Sequence, residues 1–219
     1  MIELLRTIAL TVNGEDVHET VDPRTSLVDF LRERLGLTGS HVGCEQGVCG
    51  ACTVRLDGVT ARGCLVLAVQ CAGSRVETIE GVSDAGEITD LQDAFVRRNA
   101  LQCGFCTPGV LLAAQELLAQ SGMPSREEIR AHLSGNYCRC TGYQAIVDAV
   151  EAVARARLAS RVSRPLPQPR AGGEISDKEE SAATSPHPGS PSVSRPSPSM
   201  AEWSRPNEQR AGPWSQSVP

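Results

Sequence analysis

Nine cysteines are the residues of this 219-residue sequence best suited to chemistry, and eight of them fall into two groups. The first is Cys44, Cys49 and Cys52, spaced C-x4-C-x2-C, followed after eleven residues by Cys64. Thiolates packed this closely can wrap an inorganic core only where the backbone curls, and Gly43, Gly47 and Gly50 permit the curl. The spacing is that of a plant-type 2Fe–2S site. Structural zinc prefers two close-spaced cysteine knuckles, so one knuckle with two outlying cysteines fits it poorly. The second group is Cys103-x2-Cys106, followed after 31 residues by Cys138-x-Cys140. On its own it suits zinc as well as iron–sulfur. Both of its pairs precede helix-start signals, Thr107-Pro108 and Thr141-Gly142. Helix N-termini stabilise the negative charge of thiolate and sulfide. Cys71, inside LVLAVQCAG, reads as a buried small hydrophobe.

Composition narrows the setting for these thiols. Up to residue 154 the chain carries 12 basic and 20 acidic residues, which argues against a nucleic-acid-binding face. No apolar run approaches the ~20 residues that span a bilayer. The start, MIELLRTIALTVNGEDVHET, alternates like a strand and lacks the pattern of a secretory signal. A reducing, cytoplasmic location follows as the expectation, where cysteines serve more often as metal ligands than as disulfides. Aromatic residues make up only 3% of the chain, so an inorganic element tying the backbone together would help a core poor in large rings.

The elements that must position the cysteines can be read from periodicity. Ile2–Val12 alternates, Asn13-Gly14 suits a type I′ turn, and Asp16–Val21 returns as a second strand. Ser26 can cap a helix carrying Leu27, Phe30, Leu31 and Leu35, stopped by Gly36. Thr53–Leu56 and Val59–Arg62 read as a hairpin across Asp57-Gly58, and Arg75–Ile79 as another strand. Helical spacing begins near Asp90. Thr107-Pro108 opens a second helix, with the threonine as cap, and Ser125 with Glu128 forms a capping box for a third. Tyr143–Ala159 supplies a fourth. The expected architecture is α+β: a small mixed sheet with one helix over residues 1–80, a helical domain over 85–159, and a Pro/Ser-rich disordered tail over 160–219. A polyproline docking segment is the alternative for the tail.

GCEQGVCGACTV, LQCGFCTPG and GNYCRCTGY together resemble the iron–sulfur subunit of the molybdenum hydroxylases, the xanthine dehydrogenase, aldehyde oxidase and aerobic carbon monoxide dehydrogenase family. The resemblance covers roughly residues 2–157. It implies an N-terminal β-grasp, plant-type ferredoxin-like domain and a C-terminal four-helix domain, each with one 2Fe–2S cluster. Carried over by motif, Cys44, Cys49, Cys52 and Cys64 hold one cluster, and Cys103, Cys106, Cys138 and Cys140 the other. In similar proteins the glutamine preceding the helical-domain cysteine motif, here Gln102, touches the molybdopterin of the large subunit, and the last cysteine, here Cys140, lies at the same junction. The chain is then a non-catalytic electron-transfer subunit of an oxidoreductase. Its partners are a molybdopterin-binding large subunit and an FAD-binding medium subunit, and electrons pass from molybdenum through both clusters to FAD. The tail departs from the family pattern. A free two-cluster ferredoxin and a zinc-stabilised adaptor are the alternatives. The bland reading of His18, His41 and His132 is a surface or local hydrogen-bonding role. Arg139 suits either a cofactor-facing charge or a surface ion pair.

Overall fold

The computed structural model describes residues 5–162. The expected tail lies outside these residues, apart from its first three positions, which continue the last helix.

Two strands open the fold. β1 (Arg6–Val12) and β2 (Glu15–Val21) pair antiparallel, with Leu10 opposite Val17. Asn13 and Gly14 both take positive φ, 52° and 86°, as the expected turn requires. β1 buries Ile8, Leu10 and Val12 on one face. A short helix α1 (Leu27–Asp29) is capped by Ser26, whose hydroxyl accepts from the Asp29 N–H. It continues as a π-helical turn over Phe30–Arg34. The cap and the apolar positions were legible in sequence, whereas the widening to π geometry was not. β3 (Thr53–Leu56) and β4 (Val59–Arg62) form the second hairpin. β5 (Arg75–Glu77) completes a mixed five-stranded sheet in the order β2-β1-β5-β3-β4, parallel only between β1 and β5. Phe30 and Leu31 pack with Leu10, Val54, Val76 and Cys71 against this sheet.

β5 is shorter than the sequence suggested, because Ile79 already belongs to a helix. That helix, α2 (Ile79–Asp84), precedes the four that periodicity placed: α3 (Thr89–Arg97), α4 (Thr107–Gln120), α5 (Arg126–His132) and α6 (Gln144–Val162). Their core gathers Leu91, Phe95, Leu112, Ile129, Ile146 and Val150. Each core contains a single fully buried phenylalanine, Phe30 in one and Phe95 in the other. The Ser125–Glu128 capping box forms as expected. At α4 the expectation needs correcting: Cys106 occupies the cap position and Thr107 is already helical, so the threonine hydroxyl caps nothing. Pro108 sits in the first turn, where its missing N–H leaves no bond unmade.

Sheet and helices are joined by polar ties. Asn13 donates to the Thr78 hydroxyl (3.0 Å) and accepts from the Thr78 N–H (2.8 Å). Glu116 on α4 accepts from the backbone N–H and hydroxyl of Thr60 on β4, both at 2.8 Å.

Candidate metal centres

The two cysteine groups lie in loops at the ends of regular elements. The first loop runs from the π turn to β3, and Cys64 follows β4. Its thiols come in twos. Cys44 and Cys49 interact through their side chains, and the Cys49 N–H donates to the Cys44 sulfur at 3.4 Å. Cys52 faces Cys64, whose N–H points at the Cys52 sulfur at 3.4 Å. The second group repeats the arrangement. Cys103 and Cys140 place their sulfurs 3.5 Å apart, and Cys106 interacts with Cys138. Among the described residues no group of three or more His, Cys, Asp or Glu side chains is placed to hold one metal ion.

Eight thiols in four twos fit two binuclear centres, one in each group. In a 2Fe–2S cluster with four cysteine ligands, two thiolates belong to each iron. The electrostatics separate outer from inner sulfurs. The Cys44 thiol is held down to about 6 by the N–H groups of Cys49 and Gln46, a nest of donors aimed at a developing thiolate. Burial pushes Cys52 up to about 11 and Cys106 up to about 12. Burial also raises Cys138, but the Thr141 hydroxyl, 3.1 Å from its sulfur, and neighbouring N–H groups outweigh it and lower the thiol. A buried thiolate at Cys52 and a half-buried one at Cys106 would need a cationic partner, which iron would supply. Cys71 is buried in the sheet core, its thiol raised by that burial, and it joins neither group. All nine cysteines are free thiols.

Gln102 and Cys140 meet directly. The Gln102 side-chain amide donates to the Cys140 carbonyl at 3.1 Å, and both residues are exposed beside Cys103. Tyr143, held at φ 67° before α6, accepts from the Cys138 N–H through its hydroxyl at 2.8 Å. Arg139 is exposed. His18 lies exposed on β2, and His132 pairs with Glu116 at 3.3 Å. His41 does more than its local reading implied. Its Nδ1–H donates to the Phe105 carbonyl at 2.7 Å, and its ring stacks on Phe105 with centroids 4.6 Å apart. One cysteine loop thereby touches the other.

Sequence reasoning also missed Arg62, Thr53 and Asn136, which tie the two loops together. Asn136 and Thr53 are each 1% exposed. Asn136 stands two residues before Cys138, and Arg62 two before Cys64. Proximity to cysteines was therefore the one available signal, and nothing in their own types distinguished them.

Among the described residues no helix is long and apolar enough to cross a membrane. Residues 10–69 match the family of 2Fe–2S iron–sulfur cluster binding domains, and residues 78–151 that of 2Fe–2S binding domains. The chain is 52% identical over 149 residues to caffeine dehydrogenase subunit gamma of a Pseudomonas species, covering 67% of this chain and 89% of that one. It is 43% identical over 146 residues to the xanthine dehydrogenase iron–sulfur-binding subunit of Escherichia coli, covering 66% of this chain and 91% of the relative. A solved chain of quinoline 2-oxidoreductase from Pseudomonas putida superposes with a TM-score of 0.67 at 52% identity, covering 71% of this chain and 97% of its own. Identity at this level along nearly the whole of these subunits settles the kinship. The chain belongs to the iron–sulfur small subunits of the molybdenum hydroxylases, the xanthine dehydrogenase family of oxidoreductases.

Proposed function

We propose that the chain carries two 2Fe–2S clusters, one in a ferredoxin-type domain within residues 1–80 and one in a helical domain within 85–159. It serves there as the electron conductor between a molybdopterin-binding large subunit and an FAD-binding medium subunit. The pairing of eight thiols in four twos, repeated in both loops, carries the reading. Cys44, Cys49, Cys52 and Cys64 would hold one cluster; Cys103, Cys106, Cys138 and Cys140 would hold the other. When bound, each cluster takes up and releases one electron at a time. The chain's own residues bind, orient and tune. The N–H groups of Gln46 and Cys49 donate to Cys44, and Thr141 donates to Cys138. Such donors stabilise thiolate charge and, in general, raise the potential of the cluster it ligates.

Gln102 and Cys140 supply the face toward the molybdopterin partner. Their exposure and the bond between them present a carbonyl and an amide at one rim of the second site. Nine free thiols fit a reducing compartment, the cytoplasm. Substrate oxidation belongs to the large partner, and this chain supplies no catalytic residue. The test is composition. Purified with its partners, the chain should contain about four irons and about four acid-labile sulfides, two of each per cluster. Zinc in place of iron, without sulfide, favours an adaptor. Stable recovery without molybdopterin-containing partners favours a free ferredoxin.

A further inference from the structure

Beside the His41–Phe105 stack, the two cysteine loops are joined by a set of backbone and polar side-chain bonds. At its centre the Tyr137 N–H donates to the Cys49 carbonyl at 2.8 Å. This bond places a residue of the first cysteine loop one amino acid away from Cys138 of the second. A single exposed backbone bond between loops would open readily, because water competes for both partners. This one is backed by a buried network. The Asn136 side chain donates to the Gly50 carbonyl at 3.2 Å and to the Thr53 hydroxyl oxygen at 3.4 Å. Thr53 in turn donates to the Gly50 carbonyl at 2.6 Å. Arg62 donates to Thr53 through one guanidinium nitrogen. Through the other it donates to the Gly135 carbonyl at 2.9 Å and to the Asn136 side-chain oxygen at 3.4 Å.

The network leaves no slack. Gly50 has φ 73°, and a Cβ there would collide with the Gly135 carbonyl oxygen and the Asn136 amide. A Cβ at Gly109, in the first turn of α4, would collide with the Gly50 carbonyl oxygen. Three chain segments therefore meet at van der Waals distance around one asparagine. Buried, fully bonded polar groups of this kind specify a single arrangement, and leaving one partner unmade is costly. We propose that Asn136, clamped by Arg62 and Thr53, is a positioning residue that fixes the separation of the two cysteine loops and thereby the rate of electron exchange between the groups they hold. Asn136 touches neither group's sulfurs; it acts through Gly50 and the Cys49–Tyr137 bond. The inference rests on the two-cluster reading above.

Asn136→Asp is the discriminating variant, measured in the assembled complex. It retains the oxygen that faces Arg62 but loses the amide that donates to Gly50 and Thr53. Amide exchange at Tyr137 should accelerate about tenfold, the scale of one lost buried hydrogen bond. The magnetic interaction between the two reduced clusters, seen by electron paramagnetic resonance at low temperature, should weaken while each cluster's own g-values and the iron content stay unchanged. Reduction of the ferredoxin-domain cluster by substrate should lag that of the helical-domain cluster. Thr53→Val, close in shape but without the hydroxyl, should reproduce these effects in milder form and serves if Asn136→Asp does not assemble. Tyr137 exchange and inter-cluster coupling equal to wild type in an assembled variant overturn the proposal. A wild-type complex with fewer than about four irons and no inter-cluster coupling overturns the two-cluster reading instead, and leaves the Tyr137 exchange result to judge the clamp.

Discussion

At the scale of single residues, the thiols differ in how far burial disfavours their charged form. Cys52 and Cys106 are the sulfurs most strongly pushed up by burial, so each depends most on a metal to carry a thiolate. Cys106→Ser should remove the helical-domain cluster alone. Iron should fall from about four to about two per chain, with the ferredoxin-type signal retained in the optical and magnetic spectra. Cys71→Ser should leave iron content unchanged, because that thiol faces the sheet core; its cost is stability, from burying a hydroxyl in an apolar site. The gathering of eight cysteines into two loops was legible in spacing, since such spacing reflects a local curl of backbone. Asn136, Arg62 and Thr53 were not, because their importance arises from three segments brought together by the tertiary fold. His41 shows the same limit: its stack on Phe105 joins residues 64 positions apart.

At the scale of elements, local signals worked where local forces decide. Ser125 and Glu128 cap α5 with reciprocal bonds of 3.2 and 2.7 Å. Ser125→Ala should cost about 1 kcal/mol, lowering Tm by about 2–4 °C in thermal unfolding of the isolated chain. Where tertiary contacts decide, the signals fell short. β5 ends early because Thr78 is drawn to Asn13, and α2 begins at once. Cys106 displaces Thr107 from the cap of α4 because the cysteine must face Cys138. Between elements, α6 is tied to α3 by Arg157, which donates to both Asp90 oxygens at 2.7 and 2.8 Å. The Arg157 guanidinium holds the Asp90 carboxyl below the usual carboxylate range. A depressed carboxylate contributes its stability above its ordinary value, about 3.9, and loses it as pH falls through the lower folded value. The stability gap between wild type and Asp90→Asn should therefore be largest near neutral pH and close below about pH 4. Asp90 is 46% exposed, so solvent screening keeps the gap to well under about 1 kcal/mol. A gap that persists or widens in acid contradicts the pairing.

At the scale of the molecule, two small cores with one buried phenylalanine each are joined by a polar seam that runs between the cysteine loops. The seam supplies polar ties between two apolar cores that are poor in large rings; a stabilising share for an inorganic element, suggested by the aromatic content, belongs to the two-cluster proposal. Both cysteine groups and the seam that joins them are built from residues within 5–162. Deleting residues 165–219 should accordingly leave iron and sulfide content intact, and loss of either would assign the tail a structural part. The central claim is that this chain is a two-cluster conductor. Iron, zinc and acid-labile sulfide analysis of the complex, paired with magnetic resonance of the fully reduced protein, tests it most directly. About four irons, about four sulfides and two distinct 2Fe–2S signals per chain are expected. Two irons with a single signal, or zinc without sulfide, would contradict it.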